Sequence, residues 1–200
     1  MRKSEYTKNA IIASALRLLR QNGKVTVKEI SEDAGVNVAA INYHFTDKET
    51  LLSVVIRRLL ADLKKIAENL LVATPETLKS TLSVFLDDCY RFCTENLNVI
   101  NFLLMPENKH FNGLFMKFFF QTFSIDSDIC YKFVQKLAQT RNCDENVLKA
   151  RYMEVFSALS MPFLTMFDFV NDENIKTFFP LSDPLFRQNY VNEVAKTISR

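Results

Sequence analysis

The chain has 200 residues, of which 48% are hydrophobic, and it carries a formal net charge of +2 at pH 7. This length suits one domain, or a small domain joined to a larger one, and lets roughly 70% of the unfolded chain's surface be buried. The longest uncharged apolar stretch, around residues 155–167, is shorter than the ~20 residues of a membrane-spanning helix, and the charged N-terminus lacks a following apolar signal segment. We therefore expect a cytoplasmic protein without a membrane segment, in which the cysteines are reduced.

The charge is distributed unevenly along the chain. Residues 1–65 contain 12 Lys and Arg against 7 Asp and Glu, a net charge of +5, whereas residues 66–200 contain 13 against 16, a net charge of −3. A basic N-terminal segment followed by a slightly acidic remainder is typical of a nucleic-acid-binding unit joined to a body with another role.

The first predicted helix runs from about Ser4 to Asn22 and ends at Gly23. Its apolar residues recur at helical spacing and indicate one inward face. That face comprises Ile12, Ala15, Leu16 and Leu19.

Residues 26–45 predict two short helices joined by a glycine turn. Thr26 and Glu29 have the spacing of a capping box, and Gly35 stands where a helix end adopts the left-handed conformation. Asn37 is a plausible N-cap for a second helix from about residue 38 to 45, in which Ile41 and Phe45 face inward. Two short helices with a Gly-containing turn match the helix-turn-helix, which places its second helix in the major groove of DNA. The same spacing also occurs in ordinary helical hairpins.

A long helix is predicted from residue 48 to about 72, and Thr46 with Glu49 forms a possible capping box at its start. Its apolar stripe consists of Leu52, Val55, Leu59, Leu63 and Ile66. Thr74-Pro75-Glu76 then predicts the start of a helix that reaches about residue 96. Further helices are predicted at about 97–105, 112–123, 126–140, 144–170 and 184–199.

The chain contains three glycines and no alternating run long enough to indicate a sheet, so we predict an all-α fold. Residues 1–47 form the predicted helix-turn-helix domain. Residues 48–200 form the predicted helical body, which begins with the linking helix from about residue 48.

The residues around the glycine turn resemble the DNA-binding domain of the TetR (tetracycline repressor-like) family of bacterial transcriptional regulators. The resemblance is close over about residues 8–60, where Ser31 replaces a common Ala and Asn42 replaces a common Tyr. The matching positions are Gly23, Thr26, Ile30, Ala34, Gly35, Val36, Tyr43, His44, Phe45, Lys48, Glu49 and Leu51. The resemblance implies a three-helix DNA-binding domain, a C-terminal effector-binding and dimerisation domain, and most often a repressor.

The candidate DNA contacts fall into two groups. Tyr43, His44 and Lys48 offer donors or charge for phosphates, and Lys28 is expected to act in the same way. Val38, Ala39 and Asn42 are the better candidates for base-edge or thymine-methyl contacts. The complete predicted set is Thr26, Lys28, Val38, Ala39, Asn42, Tyr43, His44 and Lys48.

Phenylalanine is concentrated in the body, which holds 17 of the 18 in the chain. Aromatic residues at helical spacing are most often core, but this number also suits a ligand pocket and a subunit interface. The predicted ligand-binding residues are Phe85, Cys89, Phe102, Phe115, Phe119, Tyr131, Tyr152 and Phe156. The predicted dimer-interface residues, on the two helices through which the resemblance implies dimerisation, are Phe163, Phe167, Phe186, Tyr190 and Val194.

These features favour a homodimeric DNA-binding regulator whose small effector is largely hydrophobic, although acidic residues among aromatic faces would instead suit a cation. Two other functional classes fit the sequence less well. An enzyme is disfavoured because no phosphate loop, nucleophile motif or metal pattern is present, and a helical protein–protein adaptor is disfavoured by the basic N-terminus. Cys89 and Cys93 share a helix face, but without a third clustered ligand we predict neither a metal site nor a cofactor.

Overall fold

A computed structural model describes residues 3–74, 76–124, 127, 129, 132–133, 135, 144–164 and 183–199. The described residues form α-helices and short 3₁₀ turns, and no strand occurs among them. The prediction of an all-α fold is confirmed. Within the same residues, no helix is both long enough and apolar enough to cross a membrane.

The helices follow one another closely in the sequence. They are α1 (Lys3–Asn22), α2 (Val27–Asp33), α3 (Val38–His44), α4 (Lys48–Glu68), α5 (Leu78–Glu95), α6 (Leu97–Leu104), α7 (Lys109–Phe123), α8 (Glu145–Leu164) and α9 (Pro184–Ser199). Short 3₁₀ turns occupy Asn69–Val72 and Pro106–Asn108.

One predicted helix cap and two predicted helix starts differ from the structure. The cap of α4 is Asp47, whose Oδ1 accepts the backbone N–H of Thr50 at 2.7 Å, rather than the predicted Thr46. A carboxylate one residue closer to the helix satisfies an end donor more strongly than a hydroxyl does. Helix α5 begins at Leu78, because Thr74 and Thr77 exchange hydrogen bonds in a separate turn before it.

Helix α7 begins at Lys109, earlier than predicted, directly after the 3₁₀ turn that contains Pro106. The predicted helix at 126–140 lies largely outside the described residues, and so does the part of the predicted 144–170 helix beyond residue 164.

The chain divides into two compact units, with boundaries inside α4 and α7 and between α5 and α6. Unit 1 comprises residues 1–61 and 96–113, and unit 2 comprises residues 62–95 and 114–200. The predicted functional division at residues 47 and 48 stays a prediction.

The core of unit 1 contains the predicted inward faces of α1 and α4. Ile12, Ala15 and Leu19 of α1 are buried, whereas Leu16 is half-buried. On the part of α4 that belongs to this unit, the predicted stripe is buried at Leu52, Val55 and Leu59.

Helix α6 closes the C-terminal end of α1 in unit 1. The Asn98 side-chain amide donates to the carbonyl oxygens of Arg20 and Gln21 at 2.8 and 3.1 Å, and the Arg20 guanidinium donates to Asn96 Oδ1 at 2.7 Å. The last carbonyls of a helix lack partners within the helix, so these contacts satisfy groups that α1 itself leaves open. Gly23 ends the helix with φ of +66°, which favours glycine.

In unit 2, helix α9 packs mainly against α5 and also contacts α8. Val191 and Ala195 of α9 are buried, and so are Leu82, Phe85 and Leu86 of α5. An ion pair between Arg187 Nε and Asp87 Oδ1, at 2.8 Å, joins α9 to α5.

Candidate nucleic-acid interface

The first helix of the predicted motif begins with the expected capping box. Thr26 Oγ1 accepts the backbone N–H of Glu29 at 3.2 Å, and Glu29 Oε2 accepts the backbone N–H of Thr26 at 2.7 Å. The hydrogen bonds from Thr26 hold the pKa of Glu29 below its usual value, and the positive charges of Lys24 and Lys48 contribute to the same shift. The carboxylate is therefore ionised at neutral pH and fixes the start of α2.

The glycine turn between α2 and α3 also has the predicted geometry. Gly35 follows the C-cap of α2 with φ of +64°. Asn37 caps α3, because its Oδ1 accepts the backbone N–H of Ala40 at 2.7 Å. Both ends of the turn are thus defined by residues that lie within three positions of their partners in the sequence.

Helix α3 has one buried and one exposed face. Ile41 and Phe45, predicted to face inward, are only 1% and 2% exposed. The opposite face leaves the side chain of Tyr43 81% exposed and that of Val38 42% exposed. The remaining members of the exposed face are Ala39 and Asn42.

Aromatic and basic groups adjoin the C-terminal end of α3. The rings of Tyr43 and His44 meet edge to face at 5.1 Å, and the His44 and Phe45 ring centroids are 6.3 Å apart. Lys48 follows as the first residue of α4 and is exposed. An exposed phenol, an imidazole and an ammonium group in one short segment provide the donors that bind phosphate oxygens.

All eight predicted DNA contacts lie in unit 1; seven are exposed and His44 is half-buried. Lys28 Nζ is 3.9 Å from Glu32 Oε1, and both side chains are largely exposed, so solvent weakens this ion pair. Arg17 is bonded to Asp33, and that bond is the main reason why the pKa of Asp33 lies below its usual value. Arg17 therefore joins α1 to α2.

The predicted ligand-binding residues do not form a single group. Phe85 and Cys89 are buried on α5, whereas Phe102 belongs to unit 1, where its ring is 5.5 Å from that of Phe111. Tyr131 lies outside the described residues. The remaining four, which lie in unit 2, are Phe115, Phe119, Tyr152 and Phe156.

Those four residues form an aromatic cluster between α7 and α8. Phe119 lies 6.1 Å from Phe115 and 5.7 Å from Phe156, measured between ring centroids, and Tyr152 lies 6.3 Å from Phe156. The Tyr152 hydroxyl donates to the carbonyl oxygen of Phe123. Phe115, Phe119 and Phe156 are half-buried, so their rings retain surface outside the core.

A cavity of about 470 Å³ lies elsewhere in unit 2. None of the predicted ligand-binding residues that the structure describes lines it. Its lining consists of Lys64, Glu68, Leu71, Gln121, Thr122, Ile129 and Lys132.

The predicted dimer residues can be placed only on α9. Phe186 and Tyr190 are half-buried and their rings stack at 6.2 Å, while the Tyr190 hydroxyl donates to the carbonyl oxygen of Ala158 in the same unit. Val194 is also half-buried. The side chain of Phe163 and the whole of Phe167 lie outside the described residues.

Cys89 is buried and Cys93 is half-buried, and neither belongs to a disulfide. Burial raises the pKa of Cys89 well above its usual value and raises that of Cys93 to about 12. A thiolate is the form that reacts and binds metals, so these thiols are poorly suited to either role. No group of three metal-ligating side chains occurs among the described residues.

A serine, a histidine and a glutamate approach one another on the surface of unit 1. Ser53 Oγ is 3.4 Å from His110 Nε2, and His110 Nδ1 is 4.0 Å from Glu49 Oε1. The second distance exceeds a hydrogen bond, and both His110 and Glu49 are exposed, so the carboxylate does not orient the ring as a hydrolase triad requires.

Comparison with known proteins agrees with this geometry. The profile of the family described as "Bacterial regulatory proteins, tetR family" matches residues 11–55, which contain α2, α3 and the start of α4. No curated protein sequence matches significantly.

Solved structures resemble the whole chain in fold. A transcriptional regulator from Aquifex aeolicus VF5 is 18% identical, with a TM-score of 0.64, over 96% of this chain and 99% of that one. A putative TetR-family regulator from Mesorhizobium loti MAFF303099 is 14% identical, with a TM-score of 0.63, over 99% of this chain and 97% of that one. The fatty acid degradation regulator FadR from Bacillus halodurans is 14% identical, with a TM-score of 0.61, over 96% and 94%.

The family profile falls on the segment that contains the capping box of α2, the glycine turn and the exposed face of α3. The family consists of non-enzymatic transcription factors, in agreement with the prediction that this chain is not an enzyme. Residues 11–55 therefore match the DNA-binding domain of the TetR family of bacterial regulatory proteins, and the chain as a whole shares the fold of solved transcriptional regulators of that family.

Proposed function

We propose that the chain is a homodimeric repressor, which a small and largely hydrophobic effector releases from its DNA operator. The observation that carries the DNA-binding part is the division of α3 into a buried and an exposed face. Ile41 and Phe45 fix the helix to its unit, while Val38 and Tyr43 remain accessible to DNA. A helix in the major groove requires this division, because base contacts need side chains that the core does not use.

The two sets of contacts have separate tasks. Tyr43, His44 and Lys48 bind phosphates and set the position of the protein on the duplex. Phosphate contacts of this kind do not distinguish one base sequence from another. Val38, Ala39 and Asn42 read base edges or thymine methyl groups, and a side-chain amide suits adenine. Dimerisation places two such helices in grooves about one helical turn apart, or a multiple of it.

The effector part of the proposal rests on the aromatic cluster of unit 2. Half-buried rings, such as those of Phe115 and Phe119, offer apolar surface on which a hydrophobic molecule can bind. A ligand that binds one conformation of the protein better shifts the population toward that conformation. The dimer leaves its operator if the favoured conformation separates its two α3 helices by a distance that does not match the two major grooves. Helix α4, which contributes residues to both units, is the proposed connection.

Binding to a fluorescent duplex at several salt concentrations tests the phosphate contacts. Replacing Lys48 with methionine should reduce the slope of log K against log [salt] by about 0.9 per bound subunit, because one phosphate contact is lost. The matched control is Lys79→Met, which removes the same charge from an exposed position in unit 2. Equal slopes for wild type and the Lys48 variant would contradict the proposed placement of the motif.

Selection of bound sequences from a random duplex pool tests the base contacts. Asn42→Ala should change the selected sequence at one position in each half-site, whereas Tyr43→Phe should weaken binding to all sequences alike. A selected sequence that is the same for the Asn42 variant and the wild type would refute the assignment of this amide to base reading.

Sedimentation and ligand screening test the remaining parts. The purified chain should sediment as a dimer at micromolar concentrations, and a hydrophobic effector should lower operator affinity while raising the thermal midpoint. Operator binding by a monomeric protein would contradict the proposed dimer. An operator affinity that no hydrophobic compound changes would contradict the proposed effector.

A further inference from the structure

A lysine of helix α1 lies next to the C-terminal end of α3. The Nζ atom of Lys8 lies 5.8 Å from the centroid of the Phe45 ring. Phe45 is only 2% exposed, whereas Lys8 is exposed. A cation above an aromatic face is attracted by the ring's negative charge density, which holds the ammonium group in place.

The position of Phe45 places this cation beside the proposed phosphate contacts. Phe45 is the C-cap of α3; Tyr43 and His44 precede it, and Lys48 follows at the start of α4. The His44 ring centroid is 6.3 Å from that of Phe45. The ammonium group of Lys8 therefore adjoins the segment that joins α3 to α4.

Two other cations of unit 1 lie beside carboxylates, and Lys8 differs from them. Arg17 is paired with Asp33 and Lys28 with Glu32, whereas no carboxylate among the described residues forms an ion pair with Lys8. An aromatic ring attracts a cation but leaves its charge and its three N–H donors in place. Lys8 therefore retains a positive charge and N–H donors with which it can bind an anion.

We propose that Lys8 binds a phosphate of the DNA backbone, beside the phosphates held by Tyr43, His44 and Lys48. The N-terminal turns of α1 then form a third element of the DNA-binding surface, in addition to α3 and the start of α4. This inference rests on the proposed function and extends it to a residue outside the predicted contact set. The other role for Lys8 is a purely structural one, in which it only shields the Phe45 ring.

Variants of Lys8 separate these roles in a salt titration with a mixed-sequence duplex of about three helical turns, between about 50 and 200 mM salt. Lys8→Met keeps an unbranched stem over the ring and removes the charge, so the slope should fall by about 0.9 per bound subunit. Lys8→Arg keeps both the side-chain stem and the positive charge, so it should retain the wild-type slope. Lys79→Met should leave the slope unchanged.

Two outcomes overturn the inference in distinguishable ways. If Lys48→Met lowers the slope and Lys8→Met does not, Lys8 has no phosphate contact while the proposed function stands. If the wild type binds the duplex without salt dependence, the proposed function fails and the inference fails with it.

A second measurement needs no substitution and applies even if Lys8→Met does not fold. Acetylation of the wild-type protein by an amine-reactive reagent, read by peptide mass spectrometry, should slow at Lys8 when the duplex is bound and stay constant at Lys79. Equal acetylation of Lys8 with and without the duplex contradicts the phosphate contact.

Discussion

Two tyrosine hydroxyls converge on one helix carbonyl in unit 2. The Ala158 oxygen accepts a hydrogen bond from Tyr90 at 2.7 Å and another from Tyr190 at 2.9 Å. In a regular helix this oxygen would accept the N–H of residue 162, but that residue is Pro162, which has no N–H. The two hydroxyls therefore replace the missing backbone donor and tie α5 and α9 to α8.

This arrangement predicts that the two hydroxyls act non-additively on stability. Tyr90→Phe or Tyr190→Phe alone leaves one donor in place, so each should lower the free energy of unfolding by about 0.5–1.5 kcal/mol. The double variant leaves the part-buried Ala158 carbonyl without either hydroxyl, so a desolvation cost of about 1 kcal/mol adds to the loss of the two hydrogen bonds. The double loss should therefore exceed the sum of the single losses by on the order of 1 kcal/mol.

Restoring the backbone donor should abolish this coupling. In a Pro162→Ala background, the N–H of residue 162 can donate to the Ala158 oxygen, and the excess loss in the double variant should fall below about 0.5 kcal/mol. Urea unfolding followed by circular dichroism measures all eight proteins at one protein concentration, so that self-association is constant. Additive single losses in the wild-type background would refute the reasoning, and so would an undiminished coupling in the Pro162→Ala background.

Three further predictions concern local contacts. Thr26→Ala should lower the free energy of unfolding by about 1 kcal/mol because α2 loses its cap, whereas Thr26→Ser should keep most of it; equal melting of wild type and the Ala variant would contradict this. Asn98→Ala should cost about 1–2 kcal/mol because two carbonyls at the end of α1 lose their donor, and a loss no larger than that of an exposed surface alanine would argue against the role. Cys89 should react with a disulfide reagent at pH 8 far more slowly than an exposed cysteine, since the thiol is buried and its raised pKa keeps it protonated; the test uses a variant with serine at the other three cysteines, and rapid labelling of the native protein would refute it.

The DNA-binding unit was predictable because its boundaries depend on neighbouring residues. The capping box of Thr26 and Glu29, the left-handed Gly35 and the Asn37 cap each involve residues at most three positions apart, and the structure confirms all of them. The cap of α4 was predicted wrongly because Thr46 and Asp47 are both good capping residues. The sequence indicates that a cap occurs there, and only the backbone geometry decides which side chain reaches the N–H of Thr50.

Contacts between distant segments were not predictable in the same way. The basic character of the N-terminus was apparent, but nothing in the spacing of Lys8 and Phe45 indicated that the ammonium group would lie over that ring. The body posed the larger problem, because aromatic residues at helical spacing serve core, pocket and interface equally well. Tyr190 was assigned to the interface from its spacing, yet its hydroxyl donates within its own unit.

Pro162 marks the limit of sequence reasoning in this chain. A proline inside a helix leaves the carbonyl four residues earlier without its usual donor, so the Ala158 oxygen needs another one. The donors come from α5 and α9, and the pairing depends on how these helices cross α8 rather than on any local pattern. Local rules therefore state which group must be satisfied, while the packing of the helices determines which side chain satisfies it. The same division explains why DNA contacts could be proposed residue by residue and the effector could not: the first depend on helix ends, and the second depends on which aromatic faces the packing leaves uncovered.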